Sequence, residues 1–537
     1  MNAPRPMGAS VRGPDPPRRH RRIVRMMNAS LRDARTGLLL GLLASSFGLL
    51  VSFVLGWQGV SFAPASAGQA FIELLPGFIA IPLIELLHEW AKRLLEITVV
   101  ILFLAAGAFA GRVAVDARRG SGLVAALAAG PWALTVALGS IFASGKVDLA
   151  GTLLNASLGA LAQVAALAWL SSSTAELAPF SASRRRALVR VAAVAATIAG
   201  ASALFGSGLR MLGTRLGDVA FVARTLKLRV DATPAEPAFA RIAGLTPRLT
   251  PTADHYTVDS ALLKPAVDIA QWTLEVKGAV ERPFTLTYDE LLDLAAVEQL
   301  HTLACISNQI GGSLSGTSLW TGVPLADLLA RAGLKAGAFD VVLRSVDGYA
   351  DSILLAKALE PQTVVAYLMN GRTIPQDHGY PVRVLVPNIY GMKNVKWLRA
   401  IEVVTFDFKG YWMERGWSDL ALVNTAVRID VPGRTLKWDG REVTIAGIAL
   451  AGSRGISQVE VSFDGAASWQ VATLEPALGP LTWRRWAIAW TPRSVGTHNL
   501  AARATDGTGQ LQTAVRREPF PDGATGYDRM DVSVQRG

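Results

Sequence analysis

One cysteine, Cys305, is all that this chain of 537 residues contains, and that scarcity removes several kinds of protein at once. An internal disulfide needs two thiols, and a structural zinc site needs several Cys or His ligands close together. There is no Cys-x-x-Cys-His haem attachment and no second Cys for an iron–sulfur cluster. Histidine is scarce too, six in all. The apolar runs hold no histidine pair for a membrane haem, His88 being the nearest. A glycine-rich dinucleotide fingerprint is also missing. A lone cysteine is more often a buried hydrophobe than a ligand. One soft thiolate can nevertheless be the single protein ligand of a metal whose other ligands come from an organic cofactor.

Charged residues are 18% of the chain and hydrophobic ones 51%, with a mean hydropathy of +0.32. The apolar excess lies before about residue 210. Runs at 37–57, 94–111, 123–143, 151–170 and 189–206 are rich in Leu, Ala, Val and Gly. Each approaches the ~20 residues that a helix needs to cross a bilayer core. The run at 71–87 is interrupted by Glu73, Pro76, Pro82 and Glu85. It is expected as an interfacial or re-entrant helix, with a sixth span as the alternative.

Arginines set the orientation. Nine lie in the first 35 residues, and Arg112, Arg118, Arg119, Arg184, Arg185, Arg186 and Arg190 follow two of the later loops. The positive-inside rule puts these segments in the cytoplasm and, with five spans, everything after about 209 outside it. The same arginines account for most of the net charge of +11, so nucleic acid is not a required partner. The tail 1–36 is expected to be disordered and drawn to anionic lipid. Residues 183–190 also resemble a twin-arginine export signal, with Ala187 in place of the usual aromatic.

After about residue 230 the composition becomes that of a globular protein. Strands are expected at 272–278, 341–346, 382–386 and 395–405, and short helices at 287–296 and 323–332. That mixture without regular βαβ spacing indicates an α+β domain. From 426 onward, alternating segments at 442–450, 458–462, 469–475, 484–490 and 496–505 have the spacing of an antiparallel β-sandwich.

Several ordered motifs then coincide. Leu303-Ala304-Cys305-Ile306-Ser307-Asn308 is followed by Leu319-Trp320-Thr321-Gly322-Val323-Pro324-Leu325. Next come Ala366-Tyr367-Leu368-Met369-Asn370-Gly371 and Asp377-His378-Gly379-Tyr380-Pro381-Val382-Arg383, then Gly391-Met392-Lys393-Asn394-Val395-Lys396-Trp397-Leu398. From about residue 245 to its end, the chain resembles the sulfite oxidase family of molybdopterin-dependent oxidoreductases. The resemblance implies a molybdopterin cofactor whose molybdenum is bound by Cys305. It also implies cofactor contacts at Asn308, Asp347, His378, Arg383 and the Asn394, Val395, Lys396 segment. Cationic Arg and Lys suit an anionic pyrophosphate-like group. Asp347 and His378 also suit simple turn roles, and Arg383 in an apolar strand calls for a buried anionic partner.

The departures bear on substrate. Where sulfite oxidases carry arginines after the cysteine motif, this chain has Gln309 and Ile310. Their early Arg-Asn-His segment corresponds to Val258-Asp259-Ser260. The tyrosine near molybdenum aligns with Trp417, and Arg415, Arg484 and Arg485 are the candidates for a remaining cation. Trp412 and Trp417 suit either a pocket for a larger, less charged substrate or packing between domains.

The expected architecture is therefore a multi-span α-helical membrane anchor at 37–209 after the 1–36 tail, and a linker at 210–244. An α+β molybdopterin-binding domain at 245–425 and an immunoglobulin-like β-sandwich of dimerisation type at 426–537 complete it. The expected function is extracytoplasmic, two-electron oxygen-atom transfer on a small sulfur or nitrogen compound, with Cys305, Trp417 and Arg415 as catalytic residues. A separate cytochrome or quinone-linked protein exchanges the electrons, and the sandwich is a candidate homodimer interface. A sulfite dehydrogenase with an atypical oxyanion site and a cofactor-free binding module are the alternatives.

Overall fold

The computed structural model describes residues 18–57, 62–75, 90–115, 121–142, 149–175, 237–259, 264–265 and 267–537. These fall into two units, one containing the N-terminal helices and one containing the residues from 237 onward.

The first unit is built from α1 (Arg18–Trp57), α2 (Ala63–Leu74), α3 (Trp90–Val115), α4 (Ser121–Phe142) and α5 (Leu149–Ala175). Four stretches, Arg35–Gly56, Leu94–Val115, Leu123–Ile141 and Ala150–Leu170, are long and apolar enough to cross a bilayer. Their outer faces expose Leu39, Phe53, Leu102, Leu134 and Leu161, side chains that suit lipid. Helices α1 and α3 meet backbone to backbone, because Gly37 and Gly41 face Gly111 and Gly107, where a Cβ on any of them would overlap the partner. Polar side chains inside the bundle are paired. Trp132 Nε1 donates to Gln163 Oε1 at 2.8 Å, Ser66 and Thr152 hydroxyls lie 3.2 Å apart, and Ser52 bonds Asn155. Unpaired, each would cost free energy in an apolar surrounding.

One expectation changes here. The tail expected to be disordered through residue 36 is helical from Arg18, since extending an established helix gains one hydrogen bond per residue. At 12 residues, α2 is too short to span; it overlaps the start of the interrupted 71–87 segment, the rest of which, from 76 on, lies outside the described residues. The fifth expected span at 189–206, the twin-arginine-like segment at 183–190 and the tail before residue 18 lie outside the described residues. So does most of the expected linker. Its described end instead packs, with Phe239 and Leu245 burying against Ala446.

The second unit begins with a sheet of β1 (Thr273–Gly278), β2 (Phe284–Thr287), β5 (Asp340–Ser345), β6 (Ala350–Leu354) and β10 (Leu398–Val404), in the order β2-β1-β10-β5-β6. Strands β1 and β10 are parallel and the other pairs antiparallel. A second sheet holds β3 (Val297–Ala304), β4 (Ser315–Pro324), β7 (Val364–Met369) and β8 (Arg372–Thr373), with β9 (Arg383–Leu385) also on β7. Leu274, Val276, Leu328, Leu329, Leu343 and Ile401 form the heart of the core.

The two short helices are trimmed by their caps. Tyr288–Leu292 starts at a capping box in which Thr287 and Glu290 satisfy each other's backbone N–H groups. The other spans Leu325–Ala332 because Val323 and Pro324 belong to β4. Strands β3, β4 and β7 were not read from the sequence. Strand β7 is buried at every position and β4 at most of them, so neither shows the alternation of a half-exposed strand.

The remainder forms two facing sheets. One holds β11 (Ala426–Val431), β13 (Val443–Leu450), β17 (Arg484–Trp490) and β16 (Thr473–Leu474). The other holds β12 (Thr435–Trp438), β19 (Asp528–Arg536), β18 (Gly496–Asp506), β14 (Ile456–Ser462) and β15 (Gln470–Val471). Ile445 and Trp486 from the first meet Val459, Leu500 and Val532 from the second in one core. The single strand expected at 469–475 is two. The chain changes sheets at Ala472, so β15 pairs with β14 and β16 with β17.

The α1–α3 contact yields a prediction. Gly107→Leu would drive a branched side chain into Ser45, so the thermal midpoint of the full chain in detergent should fall by several degrees. An unchanged midpoint would mean that this helix pair does not stabilise the unit.

Candidate functional site

Cys305 follows the last residue of β3 and opens the loop that leads into β4. The loop closes on itself. Cys305 N donates to Leu314 O at 2.9 Å, Asn308 N to Cys305 O at 3.1 Å, and Gly312 N to Gln309 O at 2.9 Å. The Asn308 side chain accepts from Leu314 N at 2.9 Å. Asn308 is thus the brace of the loop, a task that its amide oxygen performs without a cofactor. Cys305 is buried, and its Sγ lies 3.0 Å from Ser307 Oγ. Burial raises the thiol's pKa, and the Ser307 hydrogen bond only partly offsets it. A metal binding here would have to displace the proton.

Beside this loop lies a buried cationic cradle. Arg383 donates to two carbonyls, His378 O and Asn394 O, each at 3.0 Å. Its guanidinium lies 5.2 Å from the centre of the Trp320 ring. The expected anionic side-chain partner is not there: no carboxylate pairs with Arg383 among the described residues, and its Nε is buried without a hydrogen bond. Burial lowers its pKa to about 10. Ser318 Oγ and Trp320 Nε1 are likewise buried without partners; two residues apart on β4, they share one face of that strand. His378 Nε2 sits 3.2 Å from Thr252 O, and its ring is 5.4 Å from that of His255.

The remaining expected contacts are distributed around this cradle. Lys396 forms an ion pair with Asp259 and donates to Asp377 O at 3.1 Å. Val395 O accepts from Val384 N at 2.9 Å. The Asn394 side chain is consumed by Val386 N, Ile389 O and Tyr390 O, its N–H by Gly391 O and its carbonyl by Arg383. Asp347 makes the turn before Tyr349, whose N–H it accepts at 3.0 Å.

The expected substrate cations are each engaged by other groups of the chain. Arg415 donates to Tyr411 O and stacks on the Tyr411 ring at 3.7 Å. Arg485 is held by two hydrogen bonds to Glu475, and Arg484 by the carbonyls of Glu475 and Ile456. Trp417 is buried edge to face against Trp412 and against Phe520 of the sandwich. Of the two roles expected for it, packing between domains is the one seen.

Three residues were missed. Tyr256 lies close enough to both Cys305 and Arg383 to be influenced electrostatically by each, and a Cβ at Gly391 would strike its hydroxyl. His255 stacks on Tyr256. Both precede the Val258–Ser260 stretch to which the sequence pointed. Tyr390, raised to about 12 mainly by burial, also feels Cys305. The signal was an isolated His-Tyr pair in a polar loop, which acquires meaning only when that loop folds over β4. An open cleft, with a cavity volume of about 60 Å³, runs between Asn308–Gly312 and the sandwich residues Ala426–Arg428, with Ile448 and Leu450 behind.

A buried thiol next to a cationic cradle that lacks its anion is a site for a metal carried by an anionic organic cofactor. The comparisons agree. Residues 261–412 match the family described as oxidoreductase molybdopterin binding domain. Residues 419–517 match the Mo-co oxidoreductase dimerisation domain. The chain is 28% identical to nitrate reductase [NADH] of Volvox carteri over 50% of its own length and 38% of that protein's. It is 31% identical to mitochondrial sulfite oxidase of Rattus norvegicus over 46% of its length and 54% of that protein's. It therefore spans about half or less of these relatives. The sulfane dehydrogenase SoxCD structure from Paracoccus pantotrophus aligns with a TM-score of 0.49 at 21% identity, covering 55% of this chain and 85% of that one. The second half of the chain therefore carries a molybdopterin-binding oxidoreductase domain followed by a Mo-co dimerisation domain, is homologous to the enzymes sulfite oxidase and nitrate reductase, and implies the molybdenum cofactor. The unpartnered Arg383 Nε, Ser318 Oγ and Trp320 Nε1 fit an anionic ligand rich in acceptors.

Two predictions follow from the cradle. Arg383→Gln should leave the fold intact but cut retained pterin about tenfold or more, the size of one lost charged hydrogen bond; released pterin per chain checks it. The second concerns pH. Burial lowers His255 from 6.5 to about 4 and His301 to about 3, with His378 and Arg383 lesser influences. The unfolded chain therefore binds more protons than the folded one. Stability is complete above 6.5 and declines as pH falls below it, down to those lower values. In cofactor-depleted protein the thermal midpoint should drop between pH 6.5 and 4. His301→Gln should flatten the slope by up to about 1.4 kcal/mol per pH unit.

Proposed function

We propose that this protein is a membrane-anchored molybdenum oxidoreductase that transfers an oxygen atom to or from a small sulfur or nitrogen compound. The observation that carries the reading is the juxtaposition of the one thiol, Cys305, with the anion-deficient Arg383 cradle. Cys305 would hold the metal. Arg383, His378 and Lys396 would hold the anionic part of the cofactor, the Asn394–Val395 segment would line it, and Asp347, an acceptor, would meet N–H groups of the cofactor. When bound, the cofactor supplies two-electron oxygen-atom transfer.

The chain's own groups do the rest. Ser307 offers a hydroxyl to the Cys305 sulfur. Tyr256 and Tyr390, both raised by burial, stay protonated at neutral pH and act as neutral hydrogen-bond donors. The cleft beside the loop has amide and apolar walls: Asn308, Gln309, Ile310, Val423, Asn424 and Val427. Its one cation, Arg428, is engaged by Gly312 O, Asp430 and Thr246. A sulfite-like oxyanion needs free cationic forks, each worth about 1.5–3 kcal/mol. A neutral oxo-compound such as a sulfoxide or N-oxide does not, and is the favoured substrate class.

The apolar helices anchor the chain with its N-terminus in the cytoplasm, on the support of the basic segments, and the fifth span expected at 189–206 would then put the second half outside. The two facing sheets form an immunoglobulin-like sandwich of dimerisation type, so the protein is a homodimer. Electrons pass to or from a separate cytochrome or quinone-linked protein.

The test is elemental molybdenum and released pterin on the purified full chain, wild type beside Cys305→Ser. One molybdenum per chain is expected in the wild type, with turnover lost in the variant. Protein that carries no metal despite an intact cofactor pathway would overturn the reading. Faster turnover of sulfite than of sulfoxides would overturn the substrate class alone.

A further inference from the structure

The loop after Cys305 is gripped from outside by the sandwich. Arg428, on β11, donates through one terminal nitrogen to Gly312 O at 3.0 Å. Its Nε is held by Asp430 at 2.6 Å, and its other terminal nitrogen by Thr246 Oγ1 at 2.5 Å. Asp430 also accepts from Thr246 N at 3.1 Å. The planar guanidinium is therefore fixed at three points, and only one of them belongs to the loop.

A second sandwich group meets the neighbouring residue. Asp528, at the start of β19, accepts from Ile429 N at 2.8 Å through one oxygen. Its other oxygen abuts Gly311, where a Cβ would come within 2.9 Å. Gly311 also has φ +73°, so no ordinary side chain fits there without strain. Gly312 is thus held by a charged group from one strand, and a carboxylate from another packs against Gly311. The internal bonds of the loop, Cys305 N to Leu314 O and the Asn308 side chain to Leu314 N, carry that restraint back to the thiol. Gln309 and Ile310, which line the cleft, lie between the two fixed ends.

We propose that Arg428 is a positioning residue, a clamp by which the sandwich sets the conformation of the Cys305–Leu314 loop and the width of the adjoining cleft. Its influence on the metal rests on the reading of Cys305 as the metal ligand; its influence on the loop does not. The sandwich then has a role inside each chain that is separate from joining two chains.

The test compares Arg428→Gln and Arg428→Lys with wild type as full-length holoprotein. Amide hydrogen exchange is read over 306–314 and, as a control, over β13 and β17. The paramagnetic Mo(V) signal is recorded on the same samples after partial reduction, since Mo(VI) and Mo(IV) give none. Arg428→Gln should speed exchange in 306–314 by about tenfold or more, the effect of one charged hydrogen bond. The control strands should not change, and the molybdenum signal should shift. Arg428→Lys, which keeps the charge and one donor, should restore both in part. Unchanged exchange in 306–314 would overturn the clamp, as would equal acceleration in β13 and β17, since that describes a loosened sandwich. A faster loop with an unshifted signal would overturn the link from loop to metal. Wild type with no signal at all would count against the cofactor reading, while the exchange data still judge the clamp.

Discussion

A guanidinium is costly to bury, and the cost is returned only when an anion or a full set of acceptors meets it. Arg383 has two carbonyls, an aromatic face and one nitrogen with nothing to bind. Its surroundings make sense as preparation for an anion that the polypeptide does not itself provide. Strand β9 pairs with β7, which presents Arg383 to the side of β4 that carries Ser318 and Trp320, and the segment around Thr252–Tyr256 folds over them. The histidines nearby are kept neutral by the same burial and the same positive charge. A carboxylate placed here to relieve Arg383 would stabilise the empty fold and compete with the cofactor.

The sandwich and the catalytic domain behave as one body at this site. Thr302 of β3 accepts from Trp483 N, and its own N–H bonds Leu481 O, so the exposed edge of β3 is sealed by the sandwich. Trp417 packs on Phe520, and Arg454 bridges Asp506 to Asn388 and Val423 O. Arg428 reaches the loop itself. Sealing the edge removes unpaired backbone groups, and gripping the loop reduces the freedom of the cysteine that follows the strand. Stability and geometry at Cys305 therefore have the same source.

The helical unit follows different rules. Apolar side chains gain little from facing one another when lipid is as apolar as they are, so close backbone approach and internal hydrogen bonds supply the contacts. The glycine pairs of α1 and α3 and the Trp132–Gln163 bond are of this kind. The same physics permits a long, featureless apolar sequence there and forbids it in the second half.

Sequence alone determined much of this protein. Four of the apolar runs marked helices long and apolar enough to cross a bilayer, because length and polarity are read without reference to partners. The order of motifs around Cys305, His378 and Arg383 identified the cofactor class, and alternation located most strands of the sandwich. Tertiary structure decided the rest. Strands β4 and β7 lack alternation because they are buried on both faces. The switch of sheets at Ala472 depends on which strand lies alongside. Tyr256 enters the site, and Arg415 and Arg485 are taken up by Tyr411 and Glu475, because a charged side chain takes the partner that folding brings nearest. That choice is set by contacts between residues distant in the chain, as Arg428 and Gly312 are, and local pattern carries no record of them.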